Sequence, residues 1–132
     1  MRTRIHTIKV DGLTVHLFWD NASALDFATA LGIEDVNEVQ TKMVEVLSEL
    51  NPGEDGAIKI SSIDAMAKMI YVAIQTGHEH KEETLSVNLR WVRNTMLGQD
   101  ATTLIEAFAG VIAQYMPEVD ESKKKVKQKA GK

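Results

Sequence analysis

A chain of 132 residues, 44% hydrophobic and 26% charged, has the length and balance of one globular domain with a real core. It contains no cysteine, which excludes a disulfide scaffold, a thiol nucleophile and a thiolate metal site. The net charge is −4, and six of the 15 basic residues are lysines beyond Pro117, so the body is acidic and argues against a nucleic-acid surface there.

The chain opens on a β-hairpin over residues 4–19. Asp11-Gly12 is a two-residue type I′ turn signal. That turn pairs Val10 with Leu13, Ile8 with Val15, His6 with Leu17 and Arg4 with Trp19. Period-two alternation then sends Ile8, Val10, Leu13, Val15, Leu17 and Trp19 to one face. The opposite face holds Thr7, Lys9, Thr14 and His16, with Ile5 and Phe18 as apolar exceptions. A lone hairpin is marginal in water, so its apolar face needs helices beneath it.

Asp20, Asn21 and Ser23 can cap a short helix that runs to Leu31, with Leu25 and Ala28, joined by Phe27 and Leu31, inward and Gly32 at its end. Asp35, followed three residues later by Glu38, opens a second helix ending at Asn51-Pro52-Gly53. Its apolar positions are Val36, Val39, Met43, Val46 and Leu50, a seam too short for an independent coiled coil. The seam reads first as a core stripe and second as an interface for another helix or subunit.

The stretch from Ser61 to Gly77 is the expected central helix. Ile63, Met66, Ala67, Ile70, Ala73 and Ile74 recur at three- and four-residue steps, and Ala65, Met69 and Val72 widen the apolar surface. Asp64, Lys68, Tyr71 and Gln75 form a narrow polar stripe. Ser61 is read as its cap and Gly77 as its stop. A helix so apolar needs cover on several sides. The segment GHEHKEET that follows is read as a charged loop.

Leu85, Leu89, Val92 and Met96 then make a narrow helical stripe with Trp91 beside it, capped by Thr84 or Ser86 and closed by Gly98. Asp100 caps a last helix whose inward face is Leu104, Ile105, Phe108, Val111, Ile112 and Tyr115. Pro117 stops it. The expectation is a mainly α (α+β) fold: one domain over residues 1–116, with the hairpin packed on about five helices, and a disordered Lys-rich tail over residues 117–132. No apolar run approaches the roughly 20 residues needed to cross a bilayer. No signal-peptide core follows the basic N-terminus. The chain therefore reads as cytoplasmic, without a membrane partner.

Reaction chemistry is not visible in the sequence. His78-Glu79-His80 is the most ligand-like cluster, but zinc wants three or four ligands, and His6 and His16 lie on opposite faces of the hairpin. No Gly-rich phosphate loop and no G-x-S-x-G elbow occurs. Ser23, Ser61, Ser62 and Ser86 are accounted for as caps. Asp100 to Gln114 contains no lysine or arginine, which makes a poor recognition helix for DNA. No catalytic, cofactor-binding or metal-binding residue is assigned, and the chain reads as a non-enzyme. The candidate partner-binding residues are Val39, Met43, Val46 and Leu50 on the seam, and Trp91, which lies between Arg90 and Arg93.

The order of segments carries a resemblance. IKVDGLTVHLFWDNASALDFATALGI leads into helices, followed by MAKMIYVAIQTG, then LSVNLRWVRNTM, then a last amphipathic helix. Over most of Ile5 to Tyr115 this layout resembles the tail assembly chaperones of long-tailed bacteriophages. The resemblance implies a non-enzymatic protein of the host cytoplasm, absent from the mature virion. It implies binding of the tape measure protein before the tail tube polymerises around it, and recruitment of tail tube protein. Many such proteins have a longer form made by a programmed frameshift, for which codons behind Lys123-Lys124-Lys125 are a candidate position. The family offers no motif of functional residues to carry over. A small cytoplasmic helical adaptor, or another phage morphogenesis protein such as a head-tail connector, is the alternative reading. The seam would serve a homo-oligomer as well as a client.

Overall fold

The computed structural model describes residues 5–10, 12–48 and 60–115. Along these run β1 (His6–Val10), β2 (Leu13–Leu17), α1 (Asn21–Leu31), α2 (Val36–Ser48), α3 (Ile60–Lys81), α4 (Leu89–Met96) and α5 (Ala101–Tyr115). The architecture is mainly helical, with one two-stranded antiparallel hairpin among the described residues. Leu50, the Asn51-Pro52-Gly53 turn and the expected Lys-rich tail lie outside them.

The hairpin has the expected register: His6 faces Leu17, Ile8 faces Val15 and Val10 faces Leu13. Gly12 sits at φ 78°, the left-handed conformation that a type I′ turn requires. Val10, Val15, Leu17 and Trp19 are buried on one face.

α3 is the centre. β2, α1, α2, α4 and α5 all pack against it. Met66, Met69, Ile70 and Ile74 have no exposed surface. The Trp19 ring lies edge-on to Phe27 at 6.3 Å and to Phe108 at 6.1 Å, joining hairpin, α1 and α5 around one aromatic cluster.

Both ends of α3 differ from the expectation. The helix begins at Ile60, so Ser61 lies inside its first turn and is not the cap. It also runs past Gly77 to Lys81, so the first half of GHEHKEET is helix and not loop. Gly77 is a contact, not a stop. A Cβ there would lie 2.3 Å from the His16 carbonyl oxygen and 2.7 Å from the Leu17 nitrogen. The strand backbone therefore rests directly on the helix backbone, and the Phe18 N–H donates to the Ala73 carbonyl at 3.0 Å. The stop falls to Glu82, at φ 56°, after which the Glu83 N–H returns to the His78 carbonyl.

The start of α1 is a capping box: Asp20 accepts from the Ser23 N–H at 2.9 Å, and the Asp20 N–H donates to the Ser23 hydroxyl at 3.1 Å. Gly32, at φ 73°, ends it as expected. Leu25, expected inward, is exposed; Ser23, Phe27 and Ala28 form the buried side. α4 starts later than expected, with Asn88 and not Thr84 or Ser86 as its cap. Its close is Leu97, one residue before Gly98.

Candidate functional site

The seam on α2 resolves first. Val39, Met43 and Val46 are buried in the core against α1 and α3. That is a correction to their reading as partner-binding residues: side chains spent on the protein's own core offer no surface in this conformation. Val36, expected to share the seam, instead stands 69% exposed at the head of α2. At 100° per residue it projects about 60° from Val39, over the edge of the buried stripe. Trp91 is half-buried, packed on the core from its margin.

Trp91 lines a shallow depression of about 270 Å³ with Ser86, Val87, Asn88, Arg90 and Asn94. Residues 86–88, just before α4, form one side, and the first turns of α4 form the other. The Asn88 carbonyl oxygen of the side chain accepts the Trp91 N–H at 2.8 Å and so fixes the start of the helix beside the indole. Arg93, one turn on, donates to Asp64 of α3, which also meets Lys68 at 3.2 Å. Burial alone would raise the Asp64 carboxyl; its bonds to Arg93 and Lys68 outweigh that and hold it below the usual value.

A second polar group lies where the end of α3 covers β2. His16 was expected on the open face of the hairpin; it is 4% exposed, because the last turns of α3 and the segment after it close over that face. Its Nε2 lies 2.9 Å from Glu83, and since a carboxylate only accepts, that nitrogen carries a proton. Its Nδ1 meets the Thr7 hydroxyl at 2.9 Å. The His16 backbone N–H donates to Nε2 of His78 at 3.3 Å, and the two rings stand 4.8 Å apart. His78 Nδ1, the remaining seat for that ring's proton, is buried without a partner.

Around the corner, His80 bonds Asp20 at 3.1 Å and meets the edge of Phe18 at 4.8 Å. Ser23 and Thr76 share a 2.6 Å hydrogen bond between α1 and α3. Burial alone would raise the Asp20 carboxyl; bonds from the Ser23 N–H, His80 and the Ser23 hydroxyl bring it below the usual value.

Thr7, His16 and Glu83 are strung as hydroxyl, imidazole and carboxylate, the connectivity of an activated nucleophile. The depression at α4 includes none of the three. Each of their bonds instead ties one element to another: β1 to β2, and β2 to the end of α3. The arrangement holds the hairpin down. His78 and His80 point to different partners, and among the described residues no three potential ligands converge on one metal position. Nor, among them, is any helix long and apolar enough to cross a membrane.

Sequence reasoning missed the roles of His16, His78 and Glu83. The one signal available was the presence of two histidines and three acids in GHEHKEET, which fits the end of a covered helix as well as it fits a solvated loop. No protein-family model matches the chain, and neither does any curated protein or solved structure.

Proposed function

We propose that this protein is a tail assembly chaperone of a long-tailed bacteriophage: it binds the tape measure protein and helps recruit tail tube subunits during morphogenesis, in the host cytoplasm and outside the finished virion. The observation that carries the reading is the order of segments over Ile5 to Tyr115, a hairpin followed by helices with the most apolar one in the middle. The polar clusters support a non-enzymatic role, because their hydrogen bonds serve to join elements. An acidic body favours basic stretches of a client through electrostatic steering.

The test is co-expression with the product of the longest helical open reading frame nearby in the source genome. A chaperone makes that product soluble and co-purifies with it. A long protein that stays insoluble, with nothing co-purifying, refutes the reading. Mass spectrometry of purified virions separates the alternatives, since a head-tail connector stays in the particle and a chaperone does not.

A further inference from the structure

Two separate surfaces of the molecule are complementary in charge, and each carries an apolar side chain at its centre. The depression on α4 combines the apolar Val87 and Trp91 with Arg90 and Asn94. α4 carries two arginines and no acid. Arg93 is committed to Asp64, whereas Arg90 is exposed and makes no ion pair among the described residues. Tryptophan and arginine are the side chains most enriched at the energetic centres of protein interfaces.

The other surface is the corner between α1 and α2. There Val36 projects into solvent, and Glu34, Asp35 and Glu38 around it are all exposed, with no basic residue in the run. An exposed valine flanked by acids is the counterpart of a tryptophan-lined hollow beside an arginine. α2 reaches α3 alongside α1, and α4 reaches it alongside α5, so the two surfaces have different neighbours and one copy presents both.

We propose that the protein associates with itself head to tail, the acid-ringed Val36 corner of one copy seating on the Trp91–Arg90 depression of the next. The valine covers the indole and Val87, and the carboxylates of Glu34 and Glu38 meet the Arg90 guanidinium. Such a contact is heterologous, so it leaves one free corner and one free depression, and it propagates until a ring closes or an end is capped. The inference goes beyond the chaperone reading and does not depend on it.

Sedimentation of the full chain at rising concentration tests the idea, taken to about 1 mM, where weak specific contacts still register. Average mass should climb with concentration, and added salt should reduce the climb. Arg90→Glu should weaken the association about tenfold or more, as should Glu34→Arg combined with Glu38→Arg. All three positions are exposed, so circular dichroism should stay unchanged. Mixing the two variants should restore association, because the intact corner of one meets the intact depression of the other and the two reversed faces are themselves opposite in charge. Three results would overturn the proposal: a wild-type monomer throughout, variants that associate like wild type, or a mixture that forms no pair. A wild-type monomer would leave the depression to an acidic segment of a different protein.

Discussion

The backbone nitrogen of His16 donates to Nε2 of His78 across a buried seam, at 3.3 Å. This bond requires an unprotonated Nε2. Burial, and then the neighbouring His16 ring, push the His78 value below its ordinary 6.5, with the Thr84 backbone and then Glu83 pulling the other way. The groups facing His78 are His16 from β2 and Thr84 and Glu83 from the segment after α3.

A pH dependence follows. His78 is held neutral in the folded chain and takes up a proton more readily in the unfolded one. Its contribution to stability is present in full above about 6.5 and is lost as the pH falls from there towards its lower folded value. Thermal unfolding followed between neutral and mildly acid pH should show a falling midpoint. His78→Gln should flatten the fall across that window. An unchanged slope in the variant would remove His78 as the cause. The carboxylates of Asp20, Asp64 and Glu83, all lowered in the fold, add a further loss only near and below the ordinary carboxylate range.

Two glycines should respond oppositely to the same change. Gly77→Ala drives a methyl into the His16 backbone, which cannot yield without lifting the strand. A cost of about 3 kcal/mol is expected. Gly110→Ala meets only the Cε1 end of the half-buried His6 side chain, which can rotate aside. It should stay within about 1 kcal/mol of the parent, with improved helix propensity offsetting the contact. Urea unfolding of both variants checks the contrast, and equal costs would mean that Gly77 has room to spare.

On α2 the same chemistry should give different outcomes eight residues or fewer apart. Met43→Glu places a charge where no surface is exposed and should destabilise the fold by on the order of 4 kcal/mol, with loss of helical circular dichroism. Val36→Glu, on the open side of the helix, should stay within about 0.5 kcal/mol. A tolerated Met43→Glu would return the seam to the list of partner surfaces.

Asp20→Ala removes the cap of α1 and the partner of His80 together. The cap alone is worth about 1 kcal/mol. Asp20→Asn keeps an acceptor for the Ser23 N–H while losing the charge, so it should recover most of the loss. Failure of Asn to recover any of it would assign the effect to the His80 pair and not to the cap.

The legible part of this fold was whatever depends on local pattern. Asp11-Gly12 specifies a turn geometry, and the turn specifies the strand register. The apolar steps through Met66, Ile70 and Ile74 specify a helix covered on several sides, and the structure covers it. Patterns gave the direction of a stripe but not its width, so Leu25 and Val36 were placed inside. They also could not say why a glycine is where it is. Gly77 has the residue type of a helix stop, yet its lack of a side chain serves a contact made with residues 61 positions or so earlier. Period-two alternation assumes that one face of a hairpin meets water. His16 breaks that assumption because α3 outlasts its own glycine, and everything built on His16, His78 and Glu83 was hidden for the same reason. Trp91 was legible as a residue at a margin; the hollow beside it depends on where residues 86–88 lie against the start of α4.

The bond between His16 and His78 joins positions 62 residues apart. A ribosome makes the hairpin first and its seat much later, since Ala73, Gly77 and His78 all come after α1 and α2. Until then Val15 and Leu17 lack their cover from α3, and Trp19 has only Phe27 of α1 beside it. Closure of the hairpin on its seat therefore waits for α3 to be made, and is set by loop closure over long sequence distances more than by the speed of any one helix. The nascent chain itself spends that interval as an aggregation-prone species with an uncovered apolar strand pair.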